Sequence, residues 1–97
     1  NYFNKNGNIM SNLYKARTQL IYLEEKKGIE TLNEPFKQTY AFIDNKPTTR
    51  AEMLRHPYFR NMSLSTIKRA VTELLELELI KVMPSKHDMR KKYLTTT

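Results

Sequence analysis

The feature that most constrains this chain is a change of period. From Ser63 onward Ile67, Ala70, Val71, Leu74, Leu75 and Leu77 return every three or four positions, the repeat of one helical face. From Ile80 the repeat shortens to two: Ile80 and Val82 flank Lys81, Pro84 stops the run, and a polar stretch leads to a second extended piece around Lys92 to Thr95. The sequence therefore predicts a helix from Leu64 to about Leu77, with Ser63 as its N-cap, followed directly by a β-hairpin.

Winding that helix puts Ser65, Lys68, Arg69 and Thr72 opposite the apolar face. The two cations fall in its N-terminal half, while Glu73, Glu76 and Glu78 fall at the other end, so only the early turns can face an anion comfortably. Between Lys81 and Lys92 there are five cations and one anion, which puts a basic tip on the hairpin. A cationic helix start followed by a basic hairpin predicts a mainly α fold with a small β-hairpin. The layout is a winged helix-turn-helix of three to four helices plus a wing, with the helix in the major groove of DNA and the hairpin on the backbone towards the minor groove.

Charge supports a polyanion partner. The 97 residues carry 17 cations and 10 anions, net +7. Residues 1 to 47 contribute +2 and residues 48 to 97 contribute +5, so the excess lies with the helix and hairpin. A lysine-rich solvated loop is the plainer reading of such a run, and its position beside the helix is what favours the polyanion. The length fits one small core. With no cysteine, disulfides, thiolate metal sites and a cysteine nucleophile are excluded. The longest apolar run is Leu20–Leu23, far short of a membrane span, and no export signal opens the sequence, so a cytoplasmic protein is expected.

Ahead of the helix, Asn1–Asn8 has no core pattern and reads as a loose arm. Ile9, Leu13, Ala16, Leu20 and Leu23 step by four, three, four and three, widened by Met10, Tyr14 and Ile21. This is a long helix closed by Lys26, Lys27 and a C′ glycine, Gly28. Its stripe suits either packing within the chain or a partner helix, hence a homodimer. A second helix buries Leu32, Phe36, Tyr40 and Ile43; Thr31, Asn33 and Glu34 compete as its cap, with Pro35 in the first turn. Thr49 to Glu52 is a capping box for a short third helix, which Pro57 ends near Arg55. A first strand, if present, amounts to a residue or two near Pro47 and Thr48. In the HPYFRNM loop Tyr58 and Phe59 are assigned to plug the core; whether Arg55 and Arg60 touch phosphates or are merely solvated stays open. Residues 1–30 thus form an arm and long helix, and residues 31–97 the winged-helix part.

These residues resemble the MarR-type winged-helix transcription regulators from about Thr31 to Thr97. The resemblance is carried by PTTRAEML as the capped third helix, SLSTIKRAVTELLELELIKV as recognition helix and first wing strand, and HDMRKKYLTTT as the wing. Its most specific element is Asp-x-Arg, Asp88 and Arg90, one hairpin after the helix. The resemblance implies a dimeric DNA-binding regulator in which Ser63, Ser65, Thr66, Lys68 and Arg69 face the groove, Arg90 is the wing-tip arginine and Asp88 orients it. Where the family commonly turns into the wing on a glycine, this sequence has Glu78. Where the family places a long C-terminal dimerisation helix, the sequence stops at Thr97, so dimerisation falls to the first helix, or the chain is a fragment or a reduced relative. Family members often bind aromatic anions, and Tyr14, Tyr22, Phe36 and Tyr40 would line such an effector pocket, although ordinary core packing explains the same spacing.

No catalytic constellation stands out. His56 and His87 are far apart without neighbours at metal-ligand spacing, and Gly7 and Gly28 make no phosphate cradle, so neither an enzyme nor a cofactor is expected. Two readings remain. In one, the chain binds double-stranded DNA: Lys68, Lys86, Arg90, Lys91 and Lys92 neutralise phosphates with His87 beside them, and Ser65, Thr66, Arg69 and Thr72 meet the groove. In the other it is a protein-interaction or assembly module of a replication or transcription complex, presenting the acidic end of the helix.

Overall fold

The computed structural model describes residues 8–88 and 90–97, with side chains from residue 12 onward. The asparagine-rich arm, but for Asn8, and the side chains of Ile9 and Met10 lie outside the described residues. The elements are α1 (Asn8–Lys27), α2 (Glu34–Asn45), α3 (Arg50–Arg55), a 3-10 turn (Pro57–Phe59), α4 (Leu64–Glu76), β1 (Ile80–Pro84) and β2 (Lys92–Thr96). The described chain is mainly helical with one antiparallel two-stranded hairpin. It divides into two compact units, residues 1–32 and 33–97.

In the first unit, α1 ends as its sequence dictates. Gly28 adopts φ 75°, its N–H bonds the carbonyl of Glu25 at 3.1 Å, and the N–H of Ile29 bonds that of Glu24 at 2.9 Å. This is a Schellman closure, in which a left-handed residue folds the chain back over the last turn. The apolar stripe is exposed: Leu13 by 61%, Leu20 by 47% and Leu23 by 45%.

The second unit is built on α2 and α4, which pack on one another, with α2 also against β2. Asn33 is the N-cap of α2 by its extended backbone, with no bond from its side chain, which settles the choice among three capping candidates. Ile43, Met53, Val71, Leu74 and Ile80 are fully buried, joined by Tyr40, Phe59, Ile67, Ala70 and Leu94. Leu32 and Phe36, expected in the buried face of α2, are half-buried, and Thr39 is buried instead, its hydroxyl donating to the carbonyl of Pro35 at 2.8 Å. That back-bond lets a polar side chain sit in a core.

In α4, Ile67, Ala70, Val71 and Leu74 are buried, but Leu77 is 47% exposed and Leu75 half-buried. The helical face stops one residue earlier than its periodicity implied, because Leu77 is already the C-cap. Glu78 follows with φ 61°. Its N–H bonds the carbonyl of Leu75 at 3.0 Å and the N–H of Leu79 bonds that of Leu74 at 3.0 Å. The closure repeats that of α1 with glutamate in the glycine position, a conformation that costs a residue with a Cβ about 1 kcal/mol.

The hairpin pairs Ile80 with Thr96, Val82 with Leu94 and Pro84 with Lys92. Thr48 adds one antiparallel bridge on the other side of β2: its N–H bonds the carbonyl of Leu94 at 3.1 Å, and the N–H of Leu94 bonds its carbonyl at 2.7 Å. The short strand expected near Pro47 and Thr48 is thus a single residue. It ties the start of α3 to the middle of the hairpin.

Candidate nucleic-acid interface

The start of α4 is set by a hydroxyl cluster. Ser63 Oγ accepts the N–H of Thr66 at 3.2 Å and lies 2.8 Å from Thr66 Oγ1 and 3.1 Å from Ser65 Oγ. The N-cap fixes the first turn, leaving no acidic residue there. Because Ile67, Ala70, Val71 and Leu74 face the core, the opposite side is open: Ser63, Ser65, Lys68, Arg69 and Thr72 are exposed and Thr66 is half-buried. The positive end of the helix dipole, the hydroxyl cluster and two cations therefore share one exposed surface.

The hairpin tip is a set of local hydrogen bonds. Ser85 N–H bonds the carbonyl of Lys91 at 3.0 Å and closes the loop, and Lys91 N–H bonds the carbonyl of Asp88 at 3.0 Å. Ser85 Oγ accepts from the N–H of His87 at 3.2 Å and of Asp88 at 3.3 Å. Asp88 Oδ1 accepts the N–H of Arg90 at 3.0 Å and stands 3.6 Å from its Nε. The Arg90 side chain is 94% exposed, and Lys86, His87, Lys91 and Lys92 are exposed with it. Met89 lies outside the described residues.

The third helix carries its own small network. Thr49 Oγ1 accepts the N–H of Glu52 at 3.1 Å, the capping box, and the buried hydroxyl of Thr48 donates to Glu52 Oε1 at 2.7 Å. The Thr48 bond holds the Glu52 carboxyl below its ordinary range against its partial desolvation, helped by the charge of Lys46 and the backbone of Thr49. A groove of about 440 Å³ runs from this helix to the hairpin, with Thr49, Glu52 and Arg55 on one side and Lys91, Lys92 and Tyr93 on the other. Sequence reading did not unite these residues, since Arg55 and Lys91 belong to segments with no shared periodicity.

One aromatic expectation changes. Phe59 plugs the core at 3% exposure, but Tyr58 is 40% exposed. Its ring stacks on Phe42 at 5.3 Å, its hydroxyl donates to the carbonyl of Gln38 at 2.9 Å, and its own carbonyl accepts Gln38 Nε2 at 2.9 Å. These bonds hold Tyr58 at the surface, where desolvation, with Glu34 nearby, raises its pKa. His56, whose Nδ1 accepts the N–H of Tyr58 at 3.1 Å, packs edge-on to Phe42 at 4.9 Å. Of the four residues that the resemblance puts around an aromatic ligand, Tyr14 and Tyr22 are exposed in the first unit, and in the second Tyr40 is buried and Phe36 half-buried. The second unit also has an aromatic surface of Phe42, His56 and Tyr58, beside a hollow of about 570 Å³.

Among the described residues no group of three or more potential ligands could hold a metal ion, and no helix is long and apolar enough to cross a membrane. No protein-family model matches the chain, and no curated protein matches it.

Proposed function

We propose that the protein is a winged helix-turn-helix regulator of the MarR type that binds double-stranded DNA, with α4 as recognition helix and the β1–β2 hairpin as wing. The observation that carries this reading is the side of α4 left open by its core packing. Ser65, Lys68, Arg69 and Thr72 are all exposed opposite Ile67, Ala70, Val71 and Leu74. Arginine with small hydroxyls is a groove-reading set, and lysine a phosphate contact. The hairpin that follows adds Lys86, His87, Arg90, Lys91 and Lys92 on exposed positions, with Asp88 bracing Arg90. At Glu78, where this sequence departs from the glycine common in the MarR-type family, the turn takes the left-handed conformation that glycine favours.

The partner copy is a second chain bound through α1. Leu13, Leu20 and Leu23 recur at seam spacing along 20 helical residues and are exposed.

A duplex titration over a salt series tests the reading. Affinity should fall steeply with salt. Lys68→Ala and Arg90→Ala should each weaken binding and lower the slope of log affinity against log salt by about 0.9 for each phosphate no longer neutralised. Indifference to salt and to both substitutions would overturn DNA binding in favour of a protein-assembly role.

A further inference from the structure

We infer that the groove between α3 and the hairpin, with the neighbouring hollow that Arg50 lines, is a second seat for the DNA backbone, in which Arg55, Lys91 and Lys92 hold phosphates in the groove and Arg50 in the hollow beside it. This rests on the DNA-binding reading above and extends its footprint to a helix that the recognition surface does not include. Arg55, Lys91 and Lys92 line the groove of about 440 Å³. On the other side of Lys92 a second hollow, of about 400 Å³, is lined by Arg50, Val82 and Leu94. Lys92 therefore lines both hollows, the first with Arg55 and Lys91 and the second with Arg50, and all four cations are exposed.

One anion lines the groove, Glu52, and its carboxylate is already engaged by the hydroxyl of Thr48 and the capping box of Thr49. The excess is three cations to one anion in the groove itself, which suits a polyanion. Thr49 adds a donor, because its hydroxyl accepts from Glu52 N–H and keeps its own proton. The groove is continuous with the wing through Lys91 and Lys92, so a strand following the wing reaches it without leaving the protein surface. The Thr48–Leu94 bridge holds the two walls in register. These contacts position the duplex and read no base.

The test uses the full chain and two unrelated duplexes of about 30 base pairs. Anisotropy titrations from about 50 to 200 mM salt compare wild type with Arg50→Ala, Arg55→Ala and Arg90→Ala. Each α3 substitution should weaken both duplexes by the same factor. Each should also lower the salt slope by about 0.9, so that the wild-type advantage shrinks about 3–4-fold across that range. Arg55→Gln repeats the measurement if the alanine variant melts early. A wild-type slope in the α3 variants alongside a reduced slope in Arg90→Ala overturns the groove assignment and leaves the wing intact. A loss confined to one duplex overturns it too, since phosphates are common to both. No salt-dependent binding by the wild type overturns this inference and the parent reading together.

Discussion

Asp88 holds Arg90 at two points, accepting its backbone N–H at 3.0 Å and lying 3.6 Å from its guanidinium Nε. The first bond fixes the turn and the second aims a side chain that is otherwise 94% exposed. An exposed ion pair of this kind adds little stability. Under the proposed DNA-binding reading, its worth is in restricting where a long cation points before a duplex binds. Asp88→Ala should weaken duplex binding with an unchanged melting temperature, and its effect should largely vanish in an Arg90→Ala background. A double-mutant cycle by anisotropy measures this, and additive losses would show that Asp88 does not act through Arg90.

Arg69 lies on the open side of α4 one turn after its polar start. Arg69→Ala should cost about 1–3 kcal/mol at one base position and relax discrimination there, whereas Lys68→Ala should weaken all sequences alike. Selection from random duplexes followed by titration of single-base variants separates the two. Equal losses on preferred and altered sites for Arg69→Ala would make it another phosphate contact.

Glu78 and Gly28 occupy the same left-handed position in two equivalent closures, at φ 61° and φ 75°. Glu78→Gly should therefore stabilise the protein by about 0.5 kcal/mol, the relieved strain of about 1 kcal/mol being partly offset by the entropy of the unfolded glycine. Nothing lies within 4 Å of a Cβ placed on Gly28, so Gly28→Ala should destabilise through its φ alone, by about 1 kcal/mol. Urea denaturation of both variants provides the comparison.

Glu52 ties the Thr48 bridge to the cap of α3, and its folded pKa is lowered, chiefly by the Thr48 hydroxyl. A carboxylate whose folded pKa is depressed stabilises the fold above its ordinary pKa. That contribution is lost as pH falls through the lowered value. Urea midpoints followed from about pH 6 to pH 3 should drop more steeply for wild type than for Glu52→Gln or Thr48→Val. Parallel curves would mean that the Thr48–Glu52 bond adds nothing to stability.

The exposed seam of α1 should make the chain self-associate. Sedimentation equilibrium should find wild-type dimers and Leu20→Glu monomers, with duplex binding by the variant weakened because each complex then carries one copy of α4 instead of two. Wild-type monomers at every concentration would remove α1 from the dimer.

The local elements were legible because their causes are local. Ser63, Thr49 and Gly28 terminate helices by bonds to residues three or four positions away, and the alternation around Lys81 needs only its neighbours. The open side of α4, carrying Lys68 and Arg69, followed from the same periodicity. Where that reading overran, at Leu77, the limit was a backbone turn and not a pattern of side chains.

The order of helices and strands, the two faces of α4 and the basic tip follow from local composition, since each depends on spacings within a few residues. Long-range packing, by contrast, keeps Tyr58 at the surface on Gln38 and Phe42 and brings Arg50 and Arg55 of α3 to hollows that Lys92 also lines. Those relations depend on backbone bonds such as Thr48 to Leu94 between segments far apart in the chain, and the position of such a bond is fixed by how the whole core closes.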